Sequence, residues 1–302
     1  MKNDSTKPAG QKPPWLKKRL PTGRTYENVR RLLDKSCLHT VCQEAKCPNQ
    51  WECFSQETAT FLIMGPRCTR NCRFCAIDHG PMSAPDPQEP ERVAEAVKTL
   101  KLEYVVITSV TRDDLADGGA GSFAATIQSI RKSSPGIRIE VLIPDFMGNE
   151  KSLDRVVDAG PDVLNHNLET VKRLYPTVRP EAIYERSLAL MQLARKSAPQ
   201  DLPIKSGLML GLGETREELL EAFQDLLQHG CSLLTLGQYL QPSKSHLEVE
   251  RFVPPEEFES LRKAALGMGF RDVASGPFVR SSYQAKELFN HKFSCTKAHN
   301  EA

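Results

Sequence analysis

The chain has 302 residues, of which 39% are hydrophobic and 26% charged, and its formal net charge is +2. That length and balance suit a globular protein with a buried core, built as one large domain with appendages or as two small ones. They give no case for nucleic-acid binding, and no apolar run reaches the length of a membrane span. The first twenty residues, MKNDSTKPAGQKPPWLKKRL, lack the apolar segment of a secretory signal. Six of the nine cysteines form two tight triplets whose loops are too short for a disulfide framework. Metal binding in a reducing, cytoplasmic compartment is therefore expected. Cys37, Cys231 and Cys295 lie apart and read as unpaired structural or surface thiols.

In chain order, residues 1–20 read as a mobile basic arm, docked by Trp15 and Leu16; its cations are a solvated tail or a dock for an acidic protein. Residues 26–36 predict a short helix with Val29, Leu32 and Leu33 on one face. Cys42, Cys47 and Cys53 follow as C-x4-C-x5-C, with no His in the intervening loops. A zinc ion would need a distant fourth ligand there. An iron–sulfur cluster with an unusual fourth ligand is the preferred reading, against three thiols in an irregular loop. The apolar run Phe61-Leu62-Ile63-Met64 predicts a buried strand, broken by Gly65-Pro66. Cys68, Cys72 and Cys75 come next as C-x3-C-x2-C, on a loop leaving the strand end, where α/β barrels place their active sites. Three thiolates can hold three irons of a [4Fe–4S] cube and leave the fourth open. Zinc with His79 as fourth ligand is the alternative.

From Thr58 strand-like and helix-like runs alternate. Strands are expected at Thr60–Met64, Tyr104–Ser109, Ile137–Ile143, Asp162–Asn167, Ile204–Leu210 and Leu233–Tyr239. Pro90 opens the first intervening helix, Ser122 caps the second, and the third runs from Asn149 to Asp158 with Gly160 as its stop. The fourth spans Glu181 to Ser197, Thr215 and Glu218 form a capping box for the fifth, and the sixth runs from Glu256 to Gly267. Six parallel units without a seventh and eighth predict a partial (β/α)6 TIM-type barrel. Residues 1–57 form an N-terminal cysteine segment, 58–275 the barrel, and 276–302 a tail free to fold back across the barrel mouth.

Polar residues gather at the strand ends. Thr108 to Asp114 pairs carboxylates with hydroxyls, which suits an ammonium or sulfonium ligand or, more plainly, an acidic capping loop. Asn165-His166-Asn167-Leu168-Glu169-Thr170 reads as a ligand site, although His166 alone reads equally as a satisfied structural histidine. Gly207, Gly211 and Gly213 allow close backbone approach before Glu214. In the tail, Arg280-Ser281-Ser282-Tyr283 is by itself a turn with hydroxyls.

The C-x3-C-x2-C spacing with Phe74 before its last cysteine resembles the radical S-adenosylmethionine (SAM) superfamily. Residues 205–214 resemble that superfamily's G-x-I-x-G-x-x-E element, with Met209 in place of Ile. The paired triplets, VTRDDLADGGA, NHNLETV, LGQYLQPS and RSSY together resemble the lipoyl synthase family from about Arg24 to Ala285. Glu248 replaces a frequent proline, and Lys286–Ala302 match nothing usable. The resemblance implies two [4Fe–4S] clusters. Cys68, Cys72 and Cys75 would hold the one that chelates and cleaves SAM. Cys42, Cys47, Cys53 and Ser282 would hold an auxiliary cluster that is the sulfur donor. Ser281 and Ser282 are not told apart by physical argument, and the choice follows the family pattern. SAM contacts would fall at Thr108, Asp114, Asn167, Glu169, Gly211 and Glu214. The implied reaction inserts sulfur at C6 and C8 of a protein-bound octanoyl-lysine, using two SAM per lipoyl group. Implied partners are octanoylated lipoyl domains of 2-oxoacid dehydrogenase complexes, the glycine-cleavage H protein, and flavodoxin or ferredoxin as electron donor. A methylthiotransferase or a biotin synthase-like enzyme is the rival reading. The first usually carries an RNA-binding domain, and the second lacks the upstream triplet.

Overall fold

The computed structural model describes residues 12–17, 24–55 and 60–290. Most of the basic arm and Cys295 lie outside the described residues. A short 3-10 turn at Pro14–Leu16 buries Leu16. Helix α1 (Arg24–Lys35) buries Val29 and Leu33. Strand β1 (His39–Thr40), α2 (Val41–Glu44) and α3 (Gln50–Ser55) carry the first cysteine triplet. Tyr26 of α1 stacks on Trp51 of α3 with centroids 4.2 Å apart, which ties these two helices together.

The barrel begins with β2 (Thr60–Ile63), followed by the short pair β3 (Arg67–Cys68) and β4 (Asp78–His79). Alternation then runs α4 (Glu89–Thr99), β5 (Tyr104–Ser109), α5 (Ala120–Ser133), β6 (Arg138–Leu142), α6 (Glu150–Asp158) and β7 (Val163–Asn165). It continues with α7 (Tyr175–Val178), α8 (Tyr184–Ser197), β8 (Ile204–Leu210), α9 (Arg216–Gln228), β9 (Leu233–Gln238), α10 (Pro255–Met268), β10 (Asp272–Gly276) and α11 (Ala285–Phe289). The main sheet has the order β1-β2-β5-β6-β7-β8-β9-β10. All its pairs are parallel except β1 on β2. Among the described residues nothing pairs β10 back to β1 or β2, so the barrel is partial, as expected.

All six expected strands are present, and β10 adds a seventh parallel one after the sixth helix. Its sequence, Asp-Val-Ala-Ser-Gly, has one large apolar residue and no period-2 pattern, yet all five positions are buried. The strand forms because β9 offers it an edge and α10 covers it, not because its residues favour it. The capping box of Thr215 and Glu218 forms, and Asn149 caps α6. Ser122 does not cap α5. Gly119 takes that place at φ +89°, and the Asp117 carboxylate accepts from the Gly119 and Gly121 amides at 3.0 and 2.9 Å. The α8 helix starts at Tyr184 instead of Glu181, whose carboxylate accepts from the Asn71 amide at 2.7 Å.

Alternate strand residues face opposite ways. Ile107, Ile139, Val141, Leu234 and Leu236 join the large core beneath the helices. The other faces look into the barrel, and there the C-terminal segment fills the space. Leu233 and Ala274 meet Val279, Tyr283 and Leu288, while Tyr104 and Val106 meet Ala285 and Phe289. Gly237 of β9 faces this segment so closely that an added Cβ would fall on the Val279 carbonyl oxygen. Gly237→Ala therefore overpacks the barrel mouth, and urea denaturation should show a loss of about 1–3 kcal/mol. An unchanged midpoint would mean that the tail yields without cost.

Candidate metal centre

Cys68 ends β3, and Cys72 and Cys75 lie on the loop behind it. Three neighbouring elements clamp this loop. Thr69 donates both its amide and its hydroxyl to the Thr111 carbonyl at 3.0 Å. The Arg73 amide donates to Val178 at 3.0 Å. From the loop after β9, His246 Nε2–H donates to the Cys75 carbonyl at 2.9 Å, and the Leu247 amide donates to Arg73 at 3.1 Å. Arg70 is fixed between Asp113 and Asp145, with contacts of 2.7 and 2.6 Å.

The Arg70 and Thr111 amides point at Cys68 Sγ from 3.4 and 3.3 Å. Burial raises the Cys72 pKa, and Arg179 opposes it; burial pushes Cys75 up to about 12, helped by the charges of Cys72 and Cys68. A metal would displace the protons that these thiols hold, because it binds the thiolate. Among the described residues, no three Cys, His, Asp or Glu side chains converge as they must around a single ion. Three thiols on one loop are a donor set that three irons of a [4Fe–4S] cube can take. His79, the alternative fourth zinc ligand, is exposed on β4.

The other predicted residues separate into two groups. Asn167, Glu169 and the tail meet at one point: Asn167 Nδ2 donates to Glu169 Oε1 at 3.0 Å and to Ser281 Oγ at 2.6 Å. Glu169 lies at φ +69°, a region that costs a non-glycine residue energy, and is held by bonds to the Gly207 carbonyl and the Met209 amide. Burial raises its pKa, against Arg179, Asn167 and Arg280. Buried oxygens of Ser109, Asn165, Asn167 and Thr170 have no hydrogen-bond partner, which fits a polar ligand at these strand ends. Thr108, Asp114 and Glu214 are instead taken by their own chain. Thr108 donates to Leu142 at 2.9 Å, Asp114 pairs two-pronged with Arg112 at 2.8 and 2.7 Å, and Glu214 accepts from the Gly211 and Leu212 amides at 2.6 and 2.9 Å. Gly211, at φ +95°, makes that turn. Asp113 is likewise spent on Arg70. His166 is structural: it bridges the Ile143 carbonyl and Ser187 Oγ, and burial pulls its pKa down to about 4.

At the first triplet, burial pushes Cys42 up to about 12, with the Cys47 charge adding to it. The tail docks here. Asn49 Nδ2 donates to the Phe278 carbonyl at 2.6 Å, Tyr283 donates to Glu52 at 2.9 Å, and Cys53 packs on the cluster of Val279 and Tyr283. Arg280 is buried enough to lower its pKa, and Cys47 and Glu169 act against that. Ser281 is spent on both sides, its hydroxyl on Asn167 and its carbonyl on Lys205 Nζ at 2.6 Å. No hydrogen bond engages the Ser282 hydroxyl among the described residues. Cys37 is exposed; Cys231 is buried, donates to the Leu233 carbonyl and is a structural thiol. Sequence reasoning missed Arg179, which carries no motif, and Lys205, whose signal was a charge inside a strand.

The model of the radical SAM superfamily matches residues 62–226, and that of the N-terminal domain of lipoyl synthase matches residues 2–47. A lipoyl synthase of Desulfotalea psychrophila is 60% identical over 92% of this chain and 93% of its own. This chain belongs to the lipoyl synthase family. A second lipoyl synthase, of Chlorobaculum tepidum, is 56% identical over 92% of this chain and 95% of its own. Two solved structures share the fold at low identity. Methylornithine synthase aligns with TM-score 0.52 and 14% identity over 83% of this chain and 82% of that one. The hydrogenase maturase HydG of Carboxydothermus hydrogenoformans aligns with TM-score 0.51 and 15% identity over 78% and 68%.

The raised thiol pKa values of buried Cys42 and half-buried Cys75 make a chemical prediction for the metal-free lipoyl synthase chain. At pH 8, iodoacetamide should modify Cys42 and Cys75 more slowly than exposed Cys37, because thiolate is the nucleophile and both thiols keep their protons to about 12. Their rates should climb as pH rises from 9 towards 12. Peptide mapping by mass spectrometry reads the order; equal rates at pH 8 would contradict the burial.

Proposed function

We propose that Cys68, Cys72 and Cys75 hold the [4Fe–4S] cluster that binds SAM, and that Cys42, Cys47, Cys53 and Ser282 hold the auxiliary [4Fe–4S] cluster. The enzyme is a lipoyl synthase that inserts sulfur at C6 and C8 of a protein-bound octanoyl-lysine. When bound, SAM and the two clusters supply the carbon radical and the sulfur, chemistry that side chains alone lack. The observation that supports the residue assignment is the tail, which returns across the barrel to the first triplet and, among the described residues, has no hydrogen bond on the Ser282 hydroxyl.

The chain's own residues hold and orient. Asn167, Glu169 and the backbone at Gly211 contact SAM. Thr108, Asp114 and Glu214 shape the rim that carries them, because their polar atoms already serve Leu142, Arg112 and the turn. Arg280 stands beside Cys47 and favours an ionised serine oxygen. Oxygen is a less firm partner for iron than thiolate, which suits a cluster that must come apart. In this reading residues 1–57 are the auxiliary-cluster segment, 58–275 the barrel and 276–302 the closing tail. The octanoyl group arrives on lipoyl domains of 2-oxoacid dehydrogenases or on the glycine-cleavage H protein, and flavodoxin or ferredoxin supplies electrons. The work is done in the cytoplasm without nucleic acid; among the described residues no helix is long and apolar enough to cross a membrane.

Anaerobic incubation with SAM, reductant and an octanoyl-lysyl peptide, read by mass spectrometry, tests the reaction. Cys72→Ala should abolish 5′-deoxyadenosine formation, whereas Cys53→Ala should keep it and lose thiolated peptide. Thiolated peptide from Cys53→Ala would move the sulfur source elsewhere. The two serines should also separate: Ser282→Ala loses product, and Ser281→Ala keeps a substantial fraction. The reverse order would reassign the ligand.

A further inference from the structure

One buried interaction has no part in the chemistry assigned above. Lys205 of β8 and Glu140 of β6 form an ion pair of 2.8 Å, each side chain 1% exposed. They reach past β7, whose Asn165 lies beside Lys205 in register and donates to Glu140 Oε1 at 3.0 Å. Tyr104 donates to Glu140 Oε2 at 2.6 Å. The carboxylate is thus used on both oxygens, and it holds the ammonium in place. An ammonium has three protons to give, and Lys205 gives one to the Ser281 carbonyl at 2.6 Å. A buried pair of this kind is weak evidence for stability, because apolar residues of the same size serve as well or better. What it supplies here is direction: a charge-assisted bond to one main-chain oxygen next to Ser282.

The remaining contacts at this turn agree with that role. Asn167 fixes the Ser281 hydroxyl, and Gly237 lets the Val279 carbonyl come in close. None of these groups is a cysteine. We propose that the Lys205–Glu140 pair is a latch that fixes the backbone at Ser281, and with it Ser282, over the first triplet whether or not a cluster is bound. The tail then stays in place while the cluster is consumed and rebuilt. Lys205 and Glu140 are positioning residues, and the role rests on Ser282 being the fourth ligand.

Hydrogen exchange on the metal-free protein tests the latch directly. In Lys205→Met/Glu140→Gln, which removes both charges and keeps the volume, exchange over residues 278–284 should rise at least tenfold. Peptides covering β6 and β8 should exchange as slowly as in the wild type. After reconstitution the same variant should form 5′-deoxyadenosine at the wild-type rate, while its iron content and thiolated product fall. Unchanged protection of 278–284 overturns the latch. So does loss of protection in β6 and β8 together with the tail, which would make the pair an element of the core. Full product from a variant with a loosened tail would separate the latch from the chemistry. Full product from Ser282→Ala would instead remove the ligand assignment and leave the exchange result standing.

Discussion

The return of the C-terminal segment through the barrel is the constraint on which the rest of this structure depends. Asn49 and Phe278 are 229 residues apart in sequence and bonded in space. Closing so long a loop is cheaper than it looks, since each doubling of loop length adds only about 0.6 kcal/mol. Most of that separation is taken up by the β/α units, which must fold in any case. A TIM barrel usually fills its interior with layers of branched aliphatic side chains. Here Glu140, Asn165 and Lys205 stand inside, and Gly207 and Gly237 leave space. The tail supplies the missing apolar volume with Val279, Tyr283, Ala285 and Leu288. The polar interior and the returning tail are therefore complementary: the tail fills the space that the glycines leave and takes the bond that Lys205 offers.

A second constraint is charge. In the proposed assignment each triplet gathers thiols that would become anions on binding iron, at a site where burial already resists ionisation. Each has an arginine beside it, the buried Arg179 at Cys72 and the half-buried Arg280 at Cys47. Glu169 faces both arginines and is joined to the tail through Asn167. The strained residue of the rim thus lies between the two centres. Arg179 is held by the Asn167 and Leu168 carbonyls at 3.1 and 3.2 Å, so its cation is fixed before any cluster arrives. Preorganised charge of this sort avoids reorganisation when the ligand binds.

Much of this was legible in the chain. The six strands, the capping box at Thr215 and the two cysteine triplets follow from apolar runs, cap chemistry and spacing, all of which are local. What was not legible is what neighbours decide. Strand β10 has no pattern of its own and exists because β9 has an edge to fill. Asp113 and Asp114 look like a cation site until Arg70 and Arg112, both buried, take them. Glu214 closes on the amides of its own turn, a bond that the spacing alone does not announce. In each case a charged group that reads as free in one dimension has a partner in three.

The two serines of the tail show the converse, a difference in surroundings that the chain alone does not show. As adjacent hydroxyls beside Arg280 they are chemically equal. A turn, however, presents successive side chains in different directions, so one chain position cannot serve both the barrel and the cysteine segment. Asn167 and Lys205, both from barrel strands or their ends, take Ser281 by its hydroxyl and its carbonyl. Tyr283, on the other side, is drawn to Glu52 of the cysteine segment. Ser282 lies between a residue anchored to the barrel and a residue anchored to the first triplet. Among the described residues its hydroxyl has no hydrogen-bond partner, which is why this oxygen, and not that of Ser281, is the proposed fourth ligand of a cluster with three thiolates.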